Sequence, residues 1–151
     1  ALRKIVDAKP EVIAHNIETV ERLQRKIRDV RANYNQSLKV LENVKKLNTR
    51  IYTKSSIMLG LGEEDEEVLQ AMKDLRAINV DILTIGQYLR PTDWHLAVNQ
   101  YVPPQKFEYF KQKALEFGFL FCASGPFVRS SYKAGELFVG NVIKTKSYKN
   151  A

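Results

Sequence analysis

Short apolar runs recur along this chain, separated by amphipathic segments, and that alternation constrains the fold more than any other feature. Glu11 to His15, Thr53 to Leu59, Val80 to Ile85 and Phe119 to Ala123 read as buried strands. The segments between them have helical period. Strands alternating with helices make βαβ units and a parallel sheet, so the expected class is α/β. Four strands with both faces covered fit an open doubly wound sheet or part of a (β/α) barrel, and periodicity does not separate the two. In both, ligands sit where strands hand over to the following loops. Those positions are His15-Asn16, Gly60 to Glu63, Gly86-Gln87 and Ser124-Gly125.

Leu2, Ile5 and Val6 mark a short helix ending before Pro10. Ile17, Val20 and Leu23 share one face of a helix expected over Ile17 to Arg28, and a polar loop follows to Asn35. Val40, Val44 and Leu47, with lysines opposite, predict a helix over Gln36 to Asn48. The acidic run Glu63 to Glu67 suits a helix start, because carboxylates offset the positive end of the helix dipole; Val68, Met72 and Leu75 give that helix its core face. Gly86 to Val102 is irregular. Pro103-Pro104 opens a helix with the stripe Phe107, Phe110, Ala114 and Phe117, and Gly118 stops it. A last helix is expected from Tyr132 to about Ile143.

With 151 residues there is room for one ordinary domain and a real core. The longest apolar runs, Ile57 to Leu61 and Phe119 to Ala123, are too short to cross a bilayer, and the charged stretch Ala1 to Pro10 does not read as a secretory signal. The single cysteine, Cys122, excludes an internal disulfide and cannot by itself hold a cysteine-ligated cluster. It sits in an apolar strand and reads as a small buried hydrophobe. A net charge of +7 favours acidic partners. Outside the tail Lys144 to Lys149 the basic residues are spread, and no nucleic-acid motif accompanies them, so nucleic acid is not the expected partner.

The strand-end motifs each admit a structural and a ligand-binding reading. Leu59-Gly60-Leu61-Gly62-Glu63 is a tight strand–helix turn, or a loop whose backbone approaches an anion closely; its glycine spacing is not that of a Walker or dinucleotide loop. His15-Asn16-Ile17-Glu18-Thr19 is an Asn cap with an acidic first turn, or a site where Asn16 and Glu18 hydrogen-bond a ribose or amino-acid group. His15 has no neighbour at metal-ligand spacing. Arg28 to Tyr34 is a solvated loop, or one whose arginines bind a carboxylate bidentately. In Thr84 to Thr92, Gln87 is the natural polar contact and Arg90 a rim charge; Trp94 reads as packing. Gly125 to Glu136 runs G-P-F-V-R-S-S-Y-K-A-G-E, and its serines suit a helix cap.

Arg129-Ser130-Ser131-Tyr132 closely resembles the carboxy-terminal signature of lipoyl synthases, which are radical S-adenosylmethionine (SAM) enzymes. The blocks His15–Val20, Ser55–Glu63, Thr84–Thr92 and Ala123–Glu136 resemble that family's in order and spacing. Ser56, Met58, Gly60 and Glu63 fall in the slots of the radical enzymes' Gly-x-Ile-x-Gly-x-x-Glu pattern, two of them substituted. The resemblance implies the carboxy-terminal half of a radical SAM partial (β/α) barrel over residues 1–140, a basic tail over 141–151, and mitochondrial residence. It implies two 4Fe–4S clusters and S-adenosylmethionine in the whole enzyme. The implied reaction inserts two sulfurs into an octanoyl chain on a lipoyl-carrier domain, with the auxiliary cluster as sulfur donor.

By the same resemblance Asn16, Glu18, Arg31, Gly60, Gly62, Glu63 and Gln87 bind the cofactor. Ser131 ligates an iron of the auxiliary cluster, and Arg129, Ser130 and Tyr132 support it. This sequence departs from the family in two ways. It has neither of the two cysteine triads, and Val30 stands where members usually have proline. The implied partners are therefore a missing amino-terminal half and octanoylated lipoyl-carrier domains, and the chain alone is expected to be inactive. The competing reading is a stand-alone basic module that binds an acidic carrier protein or nucleic acid.

Overall fold

The computed structural model describes residues 1–28 and 31–130. In chain order these form α1 (Leu2–Asp7), β1 (Val12–Ala14), a 3-10 turn (Glu21–Leu23) running into α2 (Gln24–Ile27), α3 (Tyr34–Leu47), β2 (Tyr52–Leu59), α4 (Asp65–Ala77), β3 (Ile82–Gln87), α5 (Pro104–Glu116) and β4 (Phe121–Ser124). The strands make one four-stranded sheet in the order β1-β2-β3-β4, and every pairing is parallel. Each crossover thus adds its strand beyond the previous one. A doubly wound sheet requires that direction to reverse at a switch point. No reversal occurs among the described strands, so this is an open, singly wound α/β sheet, the form of a partial (β/α) barrel.

Register divides the sheet into two unlike faces, because successive strand residues point to opposite sides. Ile57, Leu59, Leu83, Ile85 and Cys122 share one core cluster with Leu41 of α3, Val68, Met72 and Leu75 of α4, and Phe107, Phe110 and Ala114 of α5. Lys54, Ser56, Ile82, Thr84, Gly86 and Ala123 occupy the alternate positions and form an inner face. That face is buried but largely polar. Thr84 Oγ1 donates to Ser56 Oγ at 2.7 Å across it. A second small cluster, Val6, Val44 and Ile51, seats α1 against α3.

Local sequence explains most boundaries. α4 starts at a capping box: the Glu64 and Glu67 side chains each accept from the other's backbone, behind three acidic first-turn residues. α3 starts at Tyr34, two residues before the sequence reading, because Asn33 Oδ1 caps it by accepting from the Gln36 N–H at 2.7 Å. β3 and β4 begin two residues later than expected. Val80 and Phe119 are buried but precede the ladder.

Two expectations are corrected: Trp94 does not pack but is 95% exposed, and the helix over Ile17 to Arg28 does not form as read. Ile17 N–H donates to Ser55 Oγ at 3.1 Å, Glu18 N–H to Ser56 O at 3.1 Å, and Met58 N–H to Glu18 O at 2.8 Å. The chain therefore stays extended along β2 and turns helical only from Glu21. Ile17, Val20 and Leu23 are buried as expected, but not as one helical face. The helix expected from Tyr132 to Ile143 and the basic tail lie outside the described residues. Among the described residues no helix is long and apolar enough to cross a membrane.

Candidate functional site

Parallel strands place their carboxyl ends on one rim, so the loops after β1, β2, β3 and β4 line it together. The turn after β2 is closed on itself. The Glu63 carboxylate accepts from the Gly60 N–H at 3.0 and 3.1 Å and from the Leu61 N–H at 2.9 Å. The N–H groups that suit an anion thus hold this chain's own glutamate. Arg22 fastens the turn from outside, donating to Gly62 O at 2.9 Å and bidentately to Glu67 at 2.9 and 3.0 Å.

Gln87 is buried at the end of β3 and spends its amide on backbone. Its Nε2 donates to Tyr88 O and Gln100 O, each at 2.9 Å, and its Oε1 accepts from Val102 N–H at 2.9 Å. It brackets the 88–102 loop against the rim. Glu18 sits half-buried at φ +71°, its backbone clasped to β2 as described. Asn16, also half-buried, lies between it and β1.

Arg31 goes elsewhere. With His15, Arg28, Gln36, Ser37 and Val40 it lines a cavity of about 250 Å³ beside α3. Ser37 Oγ there meets His15 Nε2 at 3.2 Å and accepts from Arg28 Nη1 at 2.9 Å. Burial, reinforced by the Arg28 charge, holds the His15 pKa below its ordinary value. Gly62 and Glu63 line a different cavity, of about 440 Å³, with Asn99, Gln100 and Lys106. Apart from Arg31, the sequence-derived cofactor residues therefore lie along one rim, but they do not share one cavity.

The segment after β4 is the most informative. Gly125 N–H donates to Ile85 O at 3.0 Å, and Val128 N–H to Gly125 O at 3.2 Å, closing a Gly-Pro turn. The chain then runs back across the inner face. The Val128 carbonyl lies so close over Gly86 that a Cβ there would sit 2.0 Å from it. One step on, Lys54 Nζ donates to the Ser130 carbonyl at 2.9 Å. Arg129 stiffens the same turn by donating to Pro126 O at 3.1 Å and Val128 O at 3.0 Å. Ser131 and Tyr132 lie outside the described residues.

Comparison with known proteins bears on what such a rim does. The model of the Radical SAM superfamily matches residues 1–75. The mitochondrial lipoyl synthase of Kluyveromyces lactis is 63% identical over 137 residues, covering 91% of this chain and 37% of that protein. The apicoplast lipoyl synthase of Plasmodium falciparum is 56% identical over 147 residues, covering 97% of this chain and 35% of that protein. The chain belongs to the lipoyl synthase family. It spans about a third of the length of the curated relatives it matches.

Membership in the lipoyl synthase family implies iron–sulfur clusters and S-adenosylmethionine, and the described residues do not fit a cluster on their own. No three of their His, Cys, Asp or Glu side chains gather in a way that could hold a metal. Cys122 belongs to the helix-packed core, and burial pushes its thiol up to about 12. A cluster needs thiolates. Cys122 is accordingly expected to react with iodoacetamide at neutral pH at least ten-fold more slowly in the folded protein than in urea. Equal rates, followed by mass spectrometry, would contradict its placement.

Proposed function

We propose that this chain is the carboxy-terminal half of a lipoyl synthase, an enzyme that inserts two sulfur atoms into a protein-bound octanoyl chain. Its open sheet edge at β1 pairs with strands of an amino-terminal half that carries the cysteines. The substrate is an octanoylated lipoyl-carrier domain, and the compartment is an organelle, as the names of its relatives suggest. When bound, the clusters and S-adenosylmethionine supply hydrogen abstraction and sulfur donation. This chain supplies half the barrel wall, the cofactor side of the rim through Asn16, Glu18 and the Gly60–Glu63 turn, and one oxygen ligand, Ser131. Alone it has no activity. The observation that carries the reading is the path of residues 125–130, which lays the Val128 carbonyl over Gly86 and brings the Ser130 carbonyl to Lys54 of the inner face.

Serine is a poor ligand while protonated, so coordination requires iron to stabilise the alkoxide. Oxygen is harder than thiolate, so Ser131 would hold a cluster iron less firmly than a cysteine would. In the full-length enzyme Ser131→Ala is expected to abolish lipoyl formation and lower the iron bound at the auxiliary cluster. Production of 5′-deoxyadenosine should survive, and Ser130→Ala should retain lipoyl formation. The reverse pattern, with Ser130→Ala inactive and Ser131→Ala active, would assign the ligand to the other serine.

A further inference from the structure

We propose that Lys54 is a positioning residue that fixes the polypeptide immediately before Ser131, with Gly86 as the second half of the same clamp; this rests on the reading of Ser131 just given. Lys54 is an unusual residue to find in the second strand of a sheet. It is only 6% exposed, and by register it stands on the inner face next to Ser56 and Thr84, not against the helices. Burying an ammonium costs free energy unless a polar partner receives it. Here one such partner is the Ser130 carbonyl, 76 residues away in sequence.

The geometry makes the contact directional. β4 ends at the rim, the Gly-Pro turn reverses the chain, and the segment crosses β3 before reaching β2. Over β3 it needs Gly86: any side chain there would drive the Val128 carbonyl outward. Over β2 it meets the end of the Lys54 side chain, which extends up the inner face from a position four residues before Met58, the register partner of Gly86. Two successive strands thus hold the carbonyls of Val128 and Ser130, the last of the described residues. Lys54 also brings a fixed positive charge to the place where an anionic oxygen ligand is proposed. A charged donor on a backbone carbonyl is among the stronger hydrogen bonds a protein makes.

The test uses the full-length enzyme with Lys54→Met, Lys54→Arg and Ser131→Ala in parallel. Amide exchange of residues 126–130 is measured by mass spectrometry before cofactors are loaded, with β2 and β3 amides as the internal check that the barrel is folded. Lys54→Met is expected to speed exchange in 126–130 at least ten-fold while β2 and β3 stay protected, and to lower lipoyl formation without stopping 5′-deoxyadenosine production. Lys54→Arg, which keeps charge and donors, should restore both. If Lys54→Met leaves exchange and lipoyl formation at the wild-type level while Ser131→Ala is inactive, the clamp is wrong and the Ser131 reading stands. If Ser131→Ala is itself fully active, the reading beneath the clamp fails too. If Lys54→Met does not fold, Lys54→Arg decides: an Arg variant with protected strands but freely exchanging 126–130 overturns the clamp, and one with slow exchange supports it.

Discussion

Asp81→Ala is expected to destabilise the domain by about 3–5 kcal/mol, the usual result of removing one partner from a buried ion pair. Asp81 Oδ2 accepts from Lys45 Nζ at 2.6 Å and from the Thr53 N–H at 2.9 Å. Both side chains of the pair are nearly buried, at 14% and 12% exposure. Its backbone is equally committed: the N–H donates to Thr53 O at 3.0 Å, and the carbonyl accepts from Leu120 N–H at 2.8 Å. The residue therefore ties α3, β2, β3 and the entry to β4 together at the amino-terminal end of the sheet. Alanine leaves the Lys45 ammonium with the Ile51 carbonyl, at 2.9 Å, and the Tyr52 ring, 6.0 Å from its centroid, but no counter-charge, and the Thr53 N–H without its carboxylate. Urea unfolding should show a lower midpoint at unchanged slope. The double variant Lys45→Met/Asp81→Leu should be less damaged than Asp81→Ala, because no unpaired charge is left behind. Equal destabilisation would mean that packing rather than charge sets the cost. Because Asp81 sits at the end of the sheet away from the rim, the rim contacts of Gly60, Glu63 and Gln87 should be unchanged in the molecules that remain folded.

Gly60→Ala should cost about 2–6 kcal/mol and, unlike Asp81→Ala, strike the rim itself. Gly60 has φ +97°, where an L side chain is strained by about 1–3 kcal/mol. A Cβ there would also stand 2.3 Å from the Gln100 carbonyl and 2.4 Å from Gln87 Nε2. Those two groups are hydrogen-bonded to each other, so relief of the clash breaks the bracket that holds the 88–102 loop. Losing a buried amide's partner adds about 1–3 kcal/mol. Gly62→Ala provides the control. Its φ of +107° carries similar strain, but its nearest neighbour is Asn99 at 3.7 Å, so only the strain applies. Thermal melts should rank wild type above Gly62→Ala and Gly62→Ala above Gly60→Ala. Equal losses at both glycines would show that the Gln87–Gln100 contact contributes nothing.

Much of this was legible in the residues, and the exceptions have physical causes. The four strands and the helices after β2 and β3 announce themselves through apolar period and end signals. The sequential strand order does not, since periodicity carries no information about neighbours. Ile17, Val20 and Leu23 mislead because a spacing of three is the helical signal, while here each is buried by a different local turn of the backbone; Ser55 Oγ takes the Ile17 N–H, a contact made at a distance in sequence. Gln87 was identified as an important polar group at a strand end, but its bonds go to backbone carbonyls that no motif encodes. The alternation in β2 does not reveal the role of Lys54, because Tyr52, Lys54, Ser56 and Met58 are no more polar as a set than Thr53, Ser55, Ile57 and Leu59; the one signal is a lysine inside an otherwise uncharged strand. The role of Ser131 came from family resemblance.

The order of the strands in space also implies an order in time. Each crossover sets a new strand beside the one just made, so the sheet can grow outward from β1 as the chain is synthesised, one βα unit at a time. The segment at 125–130 is different. Its two seats are on β3 and β2, strands already flanked on both sides once β4 has docked. It cannot settle until the neighbours of both seats are in place. Residues 125–130, which lead to the proposed ligand Ser131, are thus fixed only after the strands beneath them, and a barrel assembled with a gap or a slipped strand would lack the surface on which to fix them.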